Sequence, residues 1–249
     1  MKKRLMAAVL STAMAATMLL TGSISVQAAD AAAANDPAVE LIFTSVSVSG
    51  DSHTEAMYEF ADKVEELSGG SVTCKCYDNG SLFSSENEFD ALLNGDADLA
   101  YISFPTIATQ IPSYSMFASG YLFSSYEHMT SVLNGDIGLN KIRPQIEETL
   151  NIKPLSSFYL GSRVINTREK EINSYDDMNG LLLRMPNSEA WLFLGEALGA
   201  NPTPLSFSEL YTALQTGAVD AQDNPLPSIE SAKFYEVTKY IAITNHVVD

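Results

Sequence analysis

From residue 38 onward, short apolar runs alternate with stretches of helical period. Val39 to Ser45 reads as a strand. Ala56, Met57, Phe60, Val64 and Leu67 then recur at helical spacing behind a capping box, Ser52-His53-Thr54-Glu55, and Gly69-Gly70 closes that helix. A strand over 72–77 follows. Ser85-Glu86-Asn87-Glu88 next caps a helix with Phe89, Leu92 and Leu93 inward and Gly95 as its stop, and a strand runs from Leu99 to Ser103. This β-α-β-α-β order predicts a parallel sheet covered by helices, whose ligand side lies beyond the carboxyl ends of the strands, near 45–51, 78–84 and 103–108. An aromatic-rich loop over 112–126, helical segments near 125–134 and 138–150, and a strand over 152–160 complete this half.

A second pattern of the same kind begins at Arg163, with a strand over 163–167. Ser174-Tyr175-Asp176-Asp177 starts a short capped helix, and strand 181–185 and helix 188–198 come next. Ser206-Phe207-Ser208-Glu209 is a further capping box, opening a helix that Gly217 stops. A strand over 218–222, a turn at Asn224-Pro225, a helix near 227–237 and a strand over 240–244 end the chain. The predicted fold class is α/β with two lobes, 38–160 and 161–249, and a cleft between them, the usual place for a small ligand.

The first 28 residues stand apart from this pattern. Lys2, Lys3 and Arg4 precede an apolar run from Met6 to Leu20, and Val26-Gln27-Ala28 has the small residues of a cleavage signal, so 1–28 reads as an export signal peptide. Leu20-Thr21-Gly22 resembles the start of a lipoprotein box, but Ser23 stands where the lipid-bearing cysteine is required. Residues 29–37 form a low-complexity linker. The expected location is therefore periplasmic or extracellular, without a lipid anchor.

Charge narrows the partners. The chain has 14 Lys and Arg against 31 Asp and Glu. Three of those cations lie in the signal peptide and none of the acids does, so the acidic excess grows on cleavage. That argues against nucleic acid, whose binding needs basic surface. Cys74 and Cys76 point to one face of a strand, a poor geometry for a mutual disulfide, and read as small core residues. His53, His128 and His246 lack paired metal-ligand spacing, so neither metal nor cofactor is expected. No Gly-X-Ser-X-Gly elbow, paired-histidine motif or Gly-rich phosphate loop is present, which argues against an exported enzyme.

Two positions look like a site. Arg184 interrupts the apolar run Leu181-Leu182-Leu183 and Met185-Pro186, and Asn224 lies between Asp223 and Pro225. A guanidinium on a buried strand needs an anion, because an unpaired buried charge is very costly. That anion is either a carboxylate of the protein or one of a ligand.

At these residues the chain resembles a known family. Leu-Leu-Arg-Met-Pro at 182–186, the run from Leu198 to Asp220 with its Asn-Pro-Thr-Pro-Leu-Ser-Phe-Ser-Glu-Leu-Tyr core, Gln-Asp-Asn-Pro-Leu at 222–226 and Lys-Phe-Tyr-Glu-Val at 233–237 are similar to the second lobe of the DctP-type solute-binding proteins of TRAP transporters. The first lobe resembles that family more diffusely. The resemblance implies a monomeric two-lobed clamshell that captures a small organic acid and presents it to TRAP membrane permease subunits driven by an ion gradient. A sensor that hands its ligand to a receptor is the alternative. By the same resemblance Arg184 makes the salt bridge to the substrate carboxylate, Asn224 hydrogen-bonds that carboxylate, Arg163 is a further ligand-binding arginine and Phe207 lines the cleft. The chemistry agrees, since a planar guanidinium matches a carboxylate with two parallel donors.

The departures concern ligand choice and length. Ala221-Gln222-Asp223 replaces a turn usually rich in Gly and Glu, Ser81-Leu82-Phe83 replaces Gln-Leu-Gly, Gly120 stands for a proline, and Val46 lies where some relatives place a polar contact. Family members continue beyond the position of Asp249 with strands and long helices that brace the hinge, so the resemblance also implies a missing C-terminal part.

Overall fold

A computed structural model describes residues 38–249; the signal peptide and linker read at 1–37 lie outside the described residues. Strand β1 (Val39–Thr44), helix α1 (Ser52–Ser68), β2 (Val72–Tyr77), α2 (Glu88–Asn94) and β3 (Leu99–Ala100) come first. They form a parallel sheet in the order β2-β1-β3. The N-cap of α1 is Asp51, one residue earlier than predicted, and its carboxylate accepts from the His53 N–H at 2.8 Å. Gly69 closes the helix in the left-handed region (φ 62°), where a side chain would be strained. Met57 and Ala61 form the buried stripe, whereas Leu67, expected inward, is 77% exposed.

Helix α3 (Phe104–Ile107), a 3-10 segment over Pro112–Ala118, α4 (Tyr126–Leu133), a π-helical turn at Gly138–Ile142 and α5 (Arg143–Leu150) follow, and residues of α2, α3, the 3-10 segment and α5 share one core cluster. The aromatic loop is thus helical in part; Tyr114 and Ala118 pack as core, whereas Met116 and Tyr121 are exposed. Tyr114 is buried, donates to the Ile142 carbonyl at 3.0 Å and clusters with Phe89, Ile107, Ile111 and Ile146. The predicted strand over 152–160 does not form. No ladder holds its backbone: Asn134 brackets Ser157 in both directions (2.9 and 3.1 Å), Arg143 donates to the Leu155 carbonyl at 3.0 Å, and the Leu160 N–H donates to the Asp249 carbonyl at 2.7 Å.

The second half carries β4 (Arg163–Thr167), a 3-10 turn at Tyr175–Met178, β5 (Leu182–Met185), α6 (Glu189–Ala197), β6 (Asn201–Pro204), α7 (Leu210–Thr216), β7 (Ala221–Pro225), α8 (Leu226–Ser231) and β8 (Tyr240–Ala242). The sheet order is β6-β5-β7-β4-β8. Strands β5, β6 and β7 run parallel, and β4 runs antiparallel to β7 and β8. Both faces are covered. Ile165, Leu183, Met185 and Ala221 pack under Trp191 and Leu194 of α6, and Val164 packs with Leu210, Leu214, Ile229 and Phe234 on the other side. Asn224 lies inside β7, not in a turn, because Pro225 ends the strand opposite Arg163, where its missing N–H is tolerated. Gly161 lets the crossover approach closely: a Cβ there would lie 2.4 Å from Pro225 Cβ.

Candidate functional site

Topology brings the singled-out residues to one edge. Because β4 is antiparallel to β7, its first residue, Arg163, lies where β7 ends at Pro225 and where β5 ends just past Arg184. This is the carboxyl edge of the parallel strands, the ligand side of an α/β sheet. A cavity of about 1220 Å³ opens there, and Arg163, Arg184, Phe207 and Asn224 all line it. The first half contributes Ser85, Glu88 and Tyr101 to the same lining. At the rim the halves touch, with the Phe207 N–H donating to Ser85 Oγ at 3.3 Å and Ser231 Oγ donating to Asp51 Oδ2 at 3.2 Å. Ser85, expected to cap α2, makes this contact instead.

Arg184 is 2% exposed. Its Nε donates to the Leu205 carbonyl at 2.8 Å, and its guanidinium carbon stands 5.9 Å from the centre of the Phe207 ring. Among the described residues no acid lies within ion-pair distance of it, although Asp223 and Glu86 are close enough to act on it through space. Burial pushes its pKa down to about 10, Asp223 resists and Arg163 adds to the fall. It therefore carries its charge at neutral pH in a place where that charge is poorly compensated.

Arg163 has the opposite surroundings. Its Nη2 and Nε bond Asp249 Oδ2 at 2.6 and 2.8 Å, its Nη1 bonds the Asp223 carbonyl at 2.9 Å and Oδ1 at 3.3 Å, and its guanidinium lies 4.2 Å from the Trp191 ring centre. Burial opposes its charge, but Asp249 and Asp223 outweigh that and hold its pKa above the ordinary value. Asp223 is itself fully buried, and its second oxygen meets His246 Nε2 at 3.2 Å, while His246 Nδ1 meets Thr244 Oγ1 at 2.7 Å. The protein anion considered for Arg184 thus belongs to Arg163.

Asn224 is 4% exposed, and its Nδ2 donates to Gln222 Oε1 at 2.6 Å. Phe207 is partly buried and packs edge-on against Phe234, 5.7 Å between centres. Glu88 is 3% exposed, with Oε1 unpartnered; burial pushes its pKa up to about 8, countered only in part by the neighbouring Thr44 hydroxyl. Cys74 and Cys76 are half-buried free thiols of β2, away from this cavity's lining. Sequence reasoning missed Asp223, His246, Asp249, Gln222 and Glu88. Gln222 and Asp223 directly precede Asn224 in the chain, and alternation along a buried strand is the signal that assigns them to opposite faces.

The chain matches the family described as "Bacterial extracellular solute-binding protein, family 7" (DctP) over residues 43–249. It is 35% identical over 189 residues to the sialic acid-binding periplasmic protein SiaP of Vibrio cholerae, covering 76% of this chain and 58% of that protein. It is 30% identical over 195 residues to the C4-dicarboxylate-binding protein DctB of Bacillus subtilis, covering 77% and 54%. It therefore spans little more than half the length of these relatives. Among solved structures, a TRAP periplasmic solute-binding protein of Roseobacter denitrificans with bound 3-deoxy-D-manno-oct-2-ulosonic acid superposes with a TM-score of 0.79 at 41% identity, over 85% of this chain and 70% of that one. The sugar acid-binding protein DctPAm of Advenella mimigardefordensis, in complex with galactonate, gives 0.81 at 32% identity, over 86% and 68%. The two α/β sheets, the cavity lined from both and the match over most of the chain show that this protein belongs to the DctP family of bacterial extracellular solute-binding proteins.

Proposed function

We propose that this chain binds a small organic acid in the cavity between its two sheets and delivers it to an ion-gradient-driven TRAP permease. The observation that carries the reading is Arg184: a charged guanidinium, nearly sealed from water, with no acid of the described residues paired to it and a cavity in front of it. A ligand carboxylate there gains two charge-assisted bonds and relieves the burial cost at once. Asn224 adds a neutral donor, and Phe207 shields one side of the ion pair from water, which strengthens it by lowering the local dielectric. Arg163, saturated by Asp223 and Asp249, acts in this reading through its positive field more than through direct bonds.

Relatives with bound sugar acids support hydroxylated acids as the first class to try. Binding would favour the closed arrangement of the lobes only as far as the acid binds that arrangement better than the open one. A thermal-shift screen of galactonate, 3-deoxy-D-manno-oct-2-ulosonic acid, glucuronate and succinate, followed by calorimetry, tests the proposal. A carboxylate-dependent shift that vanishes in Arg184→Ala is expected; equal shifts in wild type and Arg184→Ala would sink it.

A further inference from the structure

Asn224 is the cleft end of a chain of three buried amides. Asn166, in the middle of β4, donates from Nδ2 to the Tyr240 carbonyl at 3.0 Å and to Thr238 Oγ1 at 2.9 Å. Its Oδ1 accepts from Gln222 Nε2 at 3.0 Å, and Gln222 Oε1 accepts from Asn224 Nδ2 at 2.6 Å. Asn166 is 1% exposed, Gln222 0% and Asn224 4%. The register sets Asn166 opposite Gln222 on one side and Arg184 opposite Gln222 on the other. Asn224 follows two residues later, so all four side chains share one face of the sheet.

The direction of this chain is fixed at its far end. A backbone carbonyl can only accept, so Asn166 must turn its nitrogen to Tyr240 and its oxygen to Gln222. Gln222 must then present its nitrogen to Asn166 and its oxygen to Asn224, which must answer with its nitrogen. Inverting any one amide would set oxygen against oxygen or N–H against N–H in the buried sheet, at the cost of unsatisfied polar groups. Each bond also polarises the next.

We infer that Asn166 and Gln222 are positioning residues for ligand capture. They hold the Asn224 amide in one of its two orientations, so that the second N–H of its nitrogen is offered to an acid on the face that carries Arg184. A freely turning asparagine would offer its oxygen to the carboxylate part of the time, and oxygen there repels. This inference rests on the reading of Asn224 as a carboxylate contact.

The test is a double-mutant cycle on the full chain, by calorimetry with whichever of galactonate, 3-deoxy-D-manno-oct-2-ulosonic acid, glucuronate and succinate binds most tightly. Gln222→Leu and Asn224→Leu should each weaken binding about ten-fold, and Gln222→Leu should add little once Asn224 is already Leu. Full additivity of the two, or an unaltered affinity in Gln222→Leu, overturns the positioning role and leaves the Asn224 contact standing. Unchanged affinity in Asn224→Leu, or no binding of any of the four acids, removes the reading beneath it. If Gln222→Leu does not fold, side-chain amide NMR of the wild type decides. The inference requires one Asn224 side-chain N–H protected from exchange before ligand is added and the other shifted by the acid. Rapid exchange of both in the free protein overturns it.

Discussion

Arg163 and Arg184 reach the same edge of one sheet, both almost fully buried, and among the described residues acids pair with Arg163 alone of the two. Asp223 takes part in both environments: it bonds Arg163 and acts on Arg184 from farther away. The division is geometric. Arg163 and Asp223 project to one face of their strands, and Arg184, with Gln222 and Asn224, projects to the other. One arginine is thereby committed to structure, and the other is the one we propose meets a ligand carboxylate.

Arg184→Met is therefore expected to stabilise the ligand-free protein while abolishing acid binding. It removes a buried charge that no acid of the described residues pairs with and keeps most of the apolar stem, a change worth on the order of 1 to 3 kcal/mol by comparison with other buried ionic groups. Thermal melts without ligand should rise, and the acid-induced shift should disappear. A lower melting temperature in the free protein would show that Arg184 is already well compensated. Arg184→Lys should bind more weakly than wild type, because a point charge cannot reproduce the planar fork.

Arg163→Met should do the reverse to stability. It leaves the fully buried Asp223 and the partly buried Asp249 without their cation and also loses the contact with Trp191. Breaking a buried pair from one side costs roughly 3 to 5 kcal/mol. Urea unfolding monitored by Trp191, the single tryptophan of the chain, reads this directly. A midpoint within error of wild type would contradict it.

Much of the framework was legible because strands and helices follow local rules. β1, β2, β4 and β5 fall within about a residue of the runs that predict them, and Ser174 caps its short helix as read, with the Asp177 side chain returning to it. The misses have physical causes. β6 is written Asn-Pro-Thr-Pro, which reads as a loop until its place at the sheet edge makes the missing donors harmless. Residues 152–160 carry strand-like residues but form no ladder; the side chains of Asn134 and Arg143 bond Ser157 and Leu155, and the Asp249 carbonyl bonds Leu160. Arg184 was legible as a lone charge in an apolar run. That no acid of the described residues pairs with it was not, because which of 31 acidic residues reaches which arginine depends on strand register.

Phe207→Ala should separate ligand affinity from folding. The ring is partly buried between Phe234 and the Arg184 guanidinium, so its loss costs stability modestly, about 1 to 2 kcal/mol. In acid binding it admits water to the Arg184 ion pair and raises the local dielectric. Affinity is expected to fall more at high salt than in wild type, because the exposed pair becomes screened. Equal salt slopes in the two proteins would show that Phe207 does not shield the pair.

Glu88 supplies a pH signature. Its ordinary pKa of 4.5 is raised by burial to about 8 in the folded protein. Below about pH 4.5 it is protonated in both states and stability is unaffected. Between about 4.5 and about 8 the unfolded chain gives up the proton and the folded chain keeps it, so this group's contribution makes folding less favourable as pH rises. At about 1.4 kcal/mol per unit of difference, the loss reaches a few kcal/mol at the alkaline end. Glu88→Gln keeps the shape of the protonated acid and cannot ionise. It should melt like wild type near pH 4.5 and progressively above it as pH rises toward 9. Parallel melting curves for the two proteins across this range would mean that Glu88 ionises normally, through a partner or water at its free oxygen.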